Sequence, residues 1–219
     1  MEFRTLPKTG LKVSRLSFGT LTFGAQTDEA TAHRMVDCCL DAGINFFDTA
    51  NVYNRGAAET IMGKALKGRR DKVILASKVR GKMGNAPDEE GLSRAAVRKA
   101  IDASLQRLGT DYVDLYYLHQ PDYATPIEET LETMEELVRA GKVRFPAVSN
   151  YAAWQVAEIL WICEKRGFGP YLISQPMYNL IARGYLEKTP TDARSDFDNV
   201  FDFDATLRPG LPLAGGEAT

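Results

Sequence analysis

The sequence NFFDTANVYN, residues 45–54, is the stretch from which the fold of this chain can be worked out. Its apolar start, Phe46 and Phe47, suits a buried parallel strand. The sequence then changes abruptly to a carboxylate, Asp48, and in the following loop to a phenol, Tyr53. Parallel α/β enzymes place their reactive groups at the carboxyl ends of strands and in the loops beyond them. The stretch therefore predicts a strand that delivers an acid and a tyrosine to one rim of a sheet.

Two later apolar segments also end on a reactive side chain. VILASK closes on Lys78, and VDLYYLH closes on His119. Because parallel strands end at the same edge of a sheet, we expect Asp48, Tyr53, Lys78 and His119 to meet around a single rim.

Strand and helix patterns alternate along the chain after a short predicted hairpin at residues 2–16. This alternation predicts six β/α units with parallel strands and right-handed crossovers. A helix after the sixth strand is not evident in the sequence. Pro146 lies inside the fifth strand segment, where a missing backbone donor is expected to cause a local distortion. The predicted strands are 16–20, 44–48, 72–78, 113–118, 142–150 and 171–175, and the predicted helices are 28–42, 57–66, 93–109, 127–141 and 152–166.

Several motifs in a fixed order identify a family resemblance. They are DTANVYNRGAAETIMGKAL at 48–66, ASK at 76–78, LYYLHQPD at 115–122, VSN at 148–150 and QPMYNLIARG at 175–184. They closely resemble the aldo-keto reductases, above all the bacterial members similar to potassium-channel β-subunits, over residues 1 to about 184. The resemblance implies an α/β fold of the (β/α)8 TIM barrel type, here incomplete, with about six units. Residues 185–219, which are rich in aspartate, are expected to form a divergent and irregular tail.

The resemblance also assigns roles to the four rim residues. Tyr53 would be the general acid of carbonyl reduction, Lys78 would tune it, Asp48 would hold Lys78, and His119 would orient the carbonyl. The chemistry is reasonable because a free tyrosine, with a pKa near 10, is a weak acid unless an ammonium stabilises its phenolate. Taken singly, an aspartate at a strand end is more often a cap or a loop anchor, and a histidine more often a core residue.

The implied cofactor is NADP(H), bound without the Gly-rich Rossmann fingerprint, which this sequence lacks. No metal is implied. The acidic tail suggests that contacts to the phosphate end of the dinucleotide are lost or weak. The positions that match the family's cofactor contacts are Gly19, Thr20, Asp48, Ser149, Asn150 and Gln175; the simpler alternative for Ser149 and Asn150 is a turn after the fifth strand.

Composition narrows the range of partners. The net charge of −2 argues against a nucleic-acid surface, and no apolar run of about 18 residues predicts a membrane span. The N-terminal sequence lacks the apolar core of a signal peptide. Three cysteines without metal-site spacing, Cys38, Cys39 and Cys163, suggest buried reduced thiols and a cytoplasmic protein.

Two functional hypotheses follow. The first is an NADPH-dependent oxidoreductase that reduces a small aldehyde or ketone to an alcohol. The second is a truncated or non-catalytic relative that serves as a binding or oligomerising subunit. An incomplete barrel would expose sheet edges and apolar surface, so both hypotheses predict a homo-oligomer.

Overall fold

The computed structural model describes residues 1–169, 171 and 173–179, so the predicted tail at 185–219 lies outside the described residues. The described strands are β1 (Phe3–Thr5), β2 (Lys12–Ser14), β3 (Ser17–Gly19), β4 (Phe46–Asp48), β5 (Ile74–Val79), β6 (Val113–Leu118), β7 (Val143–Ser149) and β8 (Ser174–Gln175). The α-helices in the same residues are α1 (Glu29–Asp41), α2 (Ala57–Ala65), α3 (Arg94–Leu108), α4 (Ile127–Arg139) and α5 (Ala153–Arg166). The predicted hairpin and the alternation of strands and helices are confirmed.

The helix ends follow local sequence signals. Asp28 caps α1 by accepting the Thr31 N–H at 2.8 Å, and Ser93 caps α3 through the Ala96 N–H at 3.3 Å. Gly109 ends α3 in the left-handed region at φ 63°, a conformation that glycine adopts without a Cβ penalty.

Strands β3 to β8 form one parallel sheet in which each strand lies beside its neighbour in sequence. The sheet curls strongly. In a flat sheet, β4 and β8 would lie about 19 Å apart, four spacings of about 4.8 Å. Instead, Gln175 Nε2 of β8 donates a hydrogen bond to Asp48 Oδ2 of β4 at 3.3 Å. The predicted incomplete barrel is therefore confirmed.

The two faces of the curled sheet bury different cores because side chains alternate along each strand. The outer face packs against the helices through residues such as Phe47, Leu75 and Tyr116. The inner face packs against the β1–β2 hairpin, whose Leu6 and Val13 close the amino end of the barrel. The remaining members of this inner cluster are Leu11, Phe46, Ala76, Leu115, Tyr117, Ala147 and Ile173.

Strand β7 runs unbroken through Pro146, contrary to the expected distortion. The backbone N–H groups of Val148 and Asn150 point toward β8, donating to Ile173 O and Gln175 O at 3.0 and 3.2 Å. Alternation puts the Pro146 nitrogen on this same side. In the described residues strand β8 begins at Ser174, level with Val148, so Pro146 lies outside the described ladder between β7 and β8.

Two further expectations concern the cysteines and membrane-spanning helices. Cys39 and Cys163 are buried free thiols, whereas Cys38 is exposed, contrary to the prediction for that residue. No helix in the described residues is long and apolar enough to cross a membrane.

Candidate active site

A buried ion pair lies at the carboxyl rim of the sheet. Asp48, the last residue of β4, accepts a hydrogen bond from Lys78 Nζ of the adjacent strand β5. The two residues are 6% and 1% exposed. Their side chains meet because both point to the inner face, on which Asp48 is level with Ala76, two residues before Lys78.

Tyr53 reaches the same ammonium from the loop after β4. Lys78 Nζ lies 3.4 Å from the Tyr53 hydroxyl oxygen and 3.2 Å from the Thr49 carbonyl oxygen. The loop turns sharply after Tyr53, with Asn54 in a left-handed conformation at φ 48°. The Asn54 amide fixes this turn by donating to the carbonyls of Leu21 and Phe23 at 2.9 and 2.7 Å.

His119 completes the cluster from the end of β6. Its ring packs edge-on against Tyr53, with the ring centroids 5.9 Å apart and an interplanar angle of 75°. Burial, reinforced by the nearby charges of Lys78 and Arg80, lowers the pKa of His119 from 6.5 to about 4. The imidazole is therefore neutral at pH 7 and can donate one N–H.

Tyr117 is a site residue that the sequence reasoning missed. It is fully buried two residues before His119, and Lys78 Nζ lies 5.6 Å from the centre of its ring. Burial, reinforced by the charge of Asp48, raises the pKa of Tyr117 well above its ordinary value, so it remains an uncharged phenol. Period-two alternation along VDLYYLH could have placed it on the same face as His119.

Three of the predicted cofactor-binding residues, Ser149, Asn150 and Gln175, lie together at the rim. Ser149 Oγ and the Asn150 N–H both donate to the Gln175 carbonyl, at 3.0 and 3.2 Å. The Asn150 side-chain amide donates to the His119 carbonyl at 3.0 Å and to Ser149 Oγ at 3.1 Å. The side-chain oxygens of Asn150 and Gln175 accept no hydrogen bond from the described residues, so two amide acceptors remain available to a ligand.

Gly19 and Thr20, two further predicted cofactor-binding residues, differ in their exposure to solvent. Gly19 is exposed, and a Cβ built on it would meet no heavy atom of the described chain within 4 Å, so the space above it is open. Thr20 is fully buried, and both its N–H and its hydroxyl donate to the Asp48 carbonyl, at 3.0 and 3.1 Å. The hydroxyl of Thr20 thus anchors the Asp48 backbone and is not directed to the open rim.

A curled parallel sheet with reactive side chains gathered at its carboxyl rim defines the chain as an α/β-barrel protein with a site at the end where barrels carry their function. The chain matches the model of the Aldo/keto reductase family over residues 15–193. It belongs to that family.

Three similar proteins align with most of this chain. It is 44% identical to the Bacillus subtilis protein named Uncharacterized oxidoreductase YrpG, over 99% of this chain and 68% of the relative. It is 40% identical to a probable voltage-gated potassium channel subunit beta of Arabidopsis thaliana, over 85% of this chain and 58% of the relative. Aldo-keto reductase YhdN of Bacillus subtilis is 41% identical over 84% of this chain and 55% of the relative. The chain thus spans between 55% and 68% of the length of these three relatives.

Proposed function

We propose that the chain is an oxidoreductase that reduces aldehyde or ketone carbonyls to alcohols with NADPH. The observation that carries this proposal is the position of Lys78 Nζ, which is hydrogen-bonded to the Asp48 carboxylate and lies 3.4 Å from the Tyr53 hydroxyl. Membership of the aldo/keto reductase family and the names of two relatives, an oxidoreductase and an aldo-keto reductase, support the same reaction class.

Reduction adds a hydride to the carbonyl carbon and a proton to the carbonyl oxygen. In our proposal Tyr53 gives up the proton from its hydroxyl. The ammonium of Lys78 stabilises the phenolate that remains, since opposite charges attract strongly where water is excluded. Asp48 holds that ammonium in place through their hydrogen bond. The neutral His119 donates its N–H to the carbonyl oxygen and so orients the substrate.

The residues at the rim suit a nicotinamide cofactor, which when bound supplies the hydride and is left oxidised. The side-chain amide oxygens of Asn150 and Gln175, which accept no hydrogen bond from the described residues, can accept from a carboxamide NH2. The open space over Gly19 leaves room for a ligand to approach the backbone. Thr20 would contribute indirectly by holding the Asp48 main chain.

Replacing Tyr53 tests the proposal. Tyr53→Phe removes the proton donor while keeping the ring, and we expect kcat for an aromatic aldehyde to fall by about 10² to 10⁴. Tyr123→Phe is the matched control, because that tyrosine is 84% exposed and makes no contact with the ion pair. Unchanged activity in Tyr53→Phe, with its circular dichroism spectrum intact, would remove Tyr53 from the role of general acid.

A binding subunit is the second candidate function, and the relative from Arabidopsis thaliana named as a probable potassium channel subunit beta favours it. Fluorescence titration separates the two. Micromolar binding of NADPH with turnover of an aldehyde supports the enzyme, and no binding at millimolar NADPH supports the binding subunit. A homo-oligomer remains a prediction of both, and sedimentation velocity tests it.

A further inference from the structure

A cavity of about 240 Å³ lies between helix α3 and the loops that follow β4 and β5. None of Asp48, Tyr53, Lys78 and His119 lines it, so it is separate from the candidate active site. Cavities that bind small molecules are typically apolar, with a few polar groups that fix the orientation of the ligand. The apolar residues of this lining are Val79, Met83, Ala96, Ala100 and Ala103.

The side chain of Asn51 lies at the inner end of the cavity. Asn51, Val79 and Ala96 are the most deeply buried residues of the lining, each 2% exposed. The buried Asn51 Oδ1 accepts no hydrogen bond from the described residues, and Nδ2 donates none to them. The Asn51 backbone is nevertheless fixed, because its N–H donates to the Lys78 carbonyl at 3.2 Å. A buried amide without partners costs free energy, so this side chain favours a ligand that pairs with it.

A second unpaired polar atom, the buried Nε of Arg80, belongs to the same lining. The loops that carry Asn51 and Arg80 touch, since a Cβ built on Gly81 would lie 2.7 Å from the Cβ of Val52. The Arg80 carbonyl accepts the Gly91 N–H at 2.9 Å, which closes the base of the second loop. The cavity therefore offers an amide that can both donate and accept, together with a further N–H donor.

The charges of the lining disfavour an anionic ligand. The carboxylates belong to Asp88, Glu89 and Glu90, and the cations to Arg80, Lys99 and Arg107. Arg107 is already paired with Glu59, which lies outside the lining, at 2.7 Å. Three negative charges then face two positive ones, so an anion would bind less well than a neutral molecule of the same shape.

The carboxylates lie toward solvent, away from the unpaired polar atoms. The side chains of Asp88 and Glu89 are 40% and 31% exposed, and Lys99 pairs with both, at 2.9 and 3.2 Å. Glu90 is exposed as well, so water and salt screen its charge. A cationic ligand would gain little from these screened groups and would be repelled by the guanidinium of Arg80. The inner end therefore suits a neutral polar group.

We propose that Asn51 binds a neutral amide whose N–H and carbonyl lie side by side, as in a primary amide or a lactam. The ligand N–H donates to Asn51 Oδ1, and the ligand carbonyl accepts from Asn51 Nδ2, so that two complementary amide edges pair. The Arg80 Nε is a further donor for that carbonyl. A ring attached to the amide fills the apolar part of the cavity, where burial removes its nonpolar surface from water.

Isothermal titration calorimetry with the full chain tests this site with three compounds of similar shape. They are 2-quinolone, a neutral lactam; N-methyl-2-quinolone, which lacks the N–H; and quinoline-2-carboxylate, an anion. We expect 2-quinolone to bind with a Kd below about 1 mM. Each of the other two compounds should bind roughly tenfold more weakly, because it cannot donate to Asn51 Oδ1.

Asn51→Leu keeps a branched side chain and removes both polar atoms. It should weaken the binding of 2-quinolone roughly tenfold and abolish the difference between the two quinolones. Asn150→Gly is the matched control, because it removes an amide at the active-site rim and suits the left-handed backbone there, at φ 59°. It should leave the binding of 2-quinolone unchanged. Circular dichroism checks that both variants are folded.

No binding of 2-quinolone at millimolar concentration would overturn the inference, because water alone would then serve Asn51 and Arg80. Equal binding of the two quinolones by the unaltered protein, or tighter binding of the carboxylate, would overturn it whether or not Asn51→Leu folds. Binding lost in Asn150→Gly but kept in Asn51→Leu would place the ligand at the rim and reject the site. These measurements need no turnover, so they stand even if the proposed function fails.

Discussion

Lys78→Met should destabilise the chain far more than the removal of a surface lysine. The Lys78 ammonium is 1% exposed and lies among the Asp48 carboxylate, the Thr49 carbonyl and the Tyr53 hydroxyl. Removing it leaves the buried Asp48 with only the Gln175 amide as a side-chain partner in the described residues. Breaking a buried pair in this way costs about 3 to 5 kcal/mol of the free energy of unfolding.

Urea denaturation followed by circular dichroism measures this loss. With an m-value of about 2 kcal/mol per molar urea, the midpoint should fall by roughly 2 M. The double variant Asp48→Asn/Lys78→Met should lose less than the sum of its two single variants, with a coupling of at least about 1.5 kcal/mol, because no unpaired charge stays buried.

The matched control is Lys142→Met, which breaks the exposed pair between Lys142 and Asp102, 2.6 Å apart. That pair should contribute under about 1 kcal/mol, since water screens it. Equal midpoints for Lys78→Met and Lys142→Met, or strict additivity in the double variant, would refute the view that the rim is organised by a buried charge pair.

Three further predictions concern the same rim and its support. An unfolded histidine takes up a proton near pH 6.5, but folded His119 does so only near pH 4, so lowering the pH from 6.5 to 4 favours unfolding. His119→Gln should therefore reduce the pH dependence of the urea midpoint in that interval, and an unaltered dependence would contradict this. Thr20→Val removes a hydrogen bond to the Asp48 carbonyl and should cost about 1 kcal/mol by urea denaturation, whereas no loss would show that the hydroxyl is not needed there. Gly63→Ala puts a Cβ 2.5 Å from a main-chain carbonyl oxygen of α3 and should lower the free energy of unfolding by about 1 to 3 kcal/mol. Gly19→Ala meets open space among the described residues, so it should weaken NADPH binding with little loss of stability. A larger loss of stability in Gly19→Ala than in Gly63→Ala would contradict both expectations.

Local patterns in the sequence predict most of the elements because the forces that set them act over a few residues. The caps Asp28 and Ser93 and the left-handed Gly109 carry their signals within one helical turn. Strand ends were less predictable. The sequence predicts the sixth strand over 171–175, whereas among the described residues the strand covers Ser174–Gln175. Strand pairing depends on a neighbour that lies far away in the chain.

The sequence alone predicted that Asp48, Lys78 and His119 would lie at one rim. Each of them ends an apolar segment, and parallel strands end at the same edge of a sheet. Only the tertiary structure decided what these side chains touch. Curling of the sheet brings Gln175 of β8 to Asp48 of β4 although three strands lie between them, and burial lowers the pKa of His119 so that its imidazole is neutral. Each of these depends on distance and exclusion of water between segments remote in sequence, which no local pattern encodes.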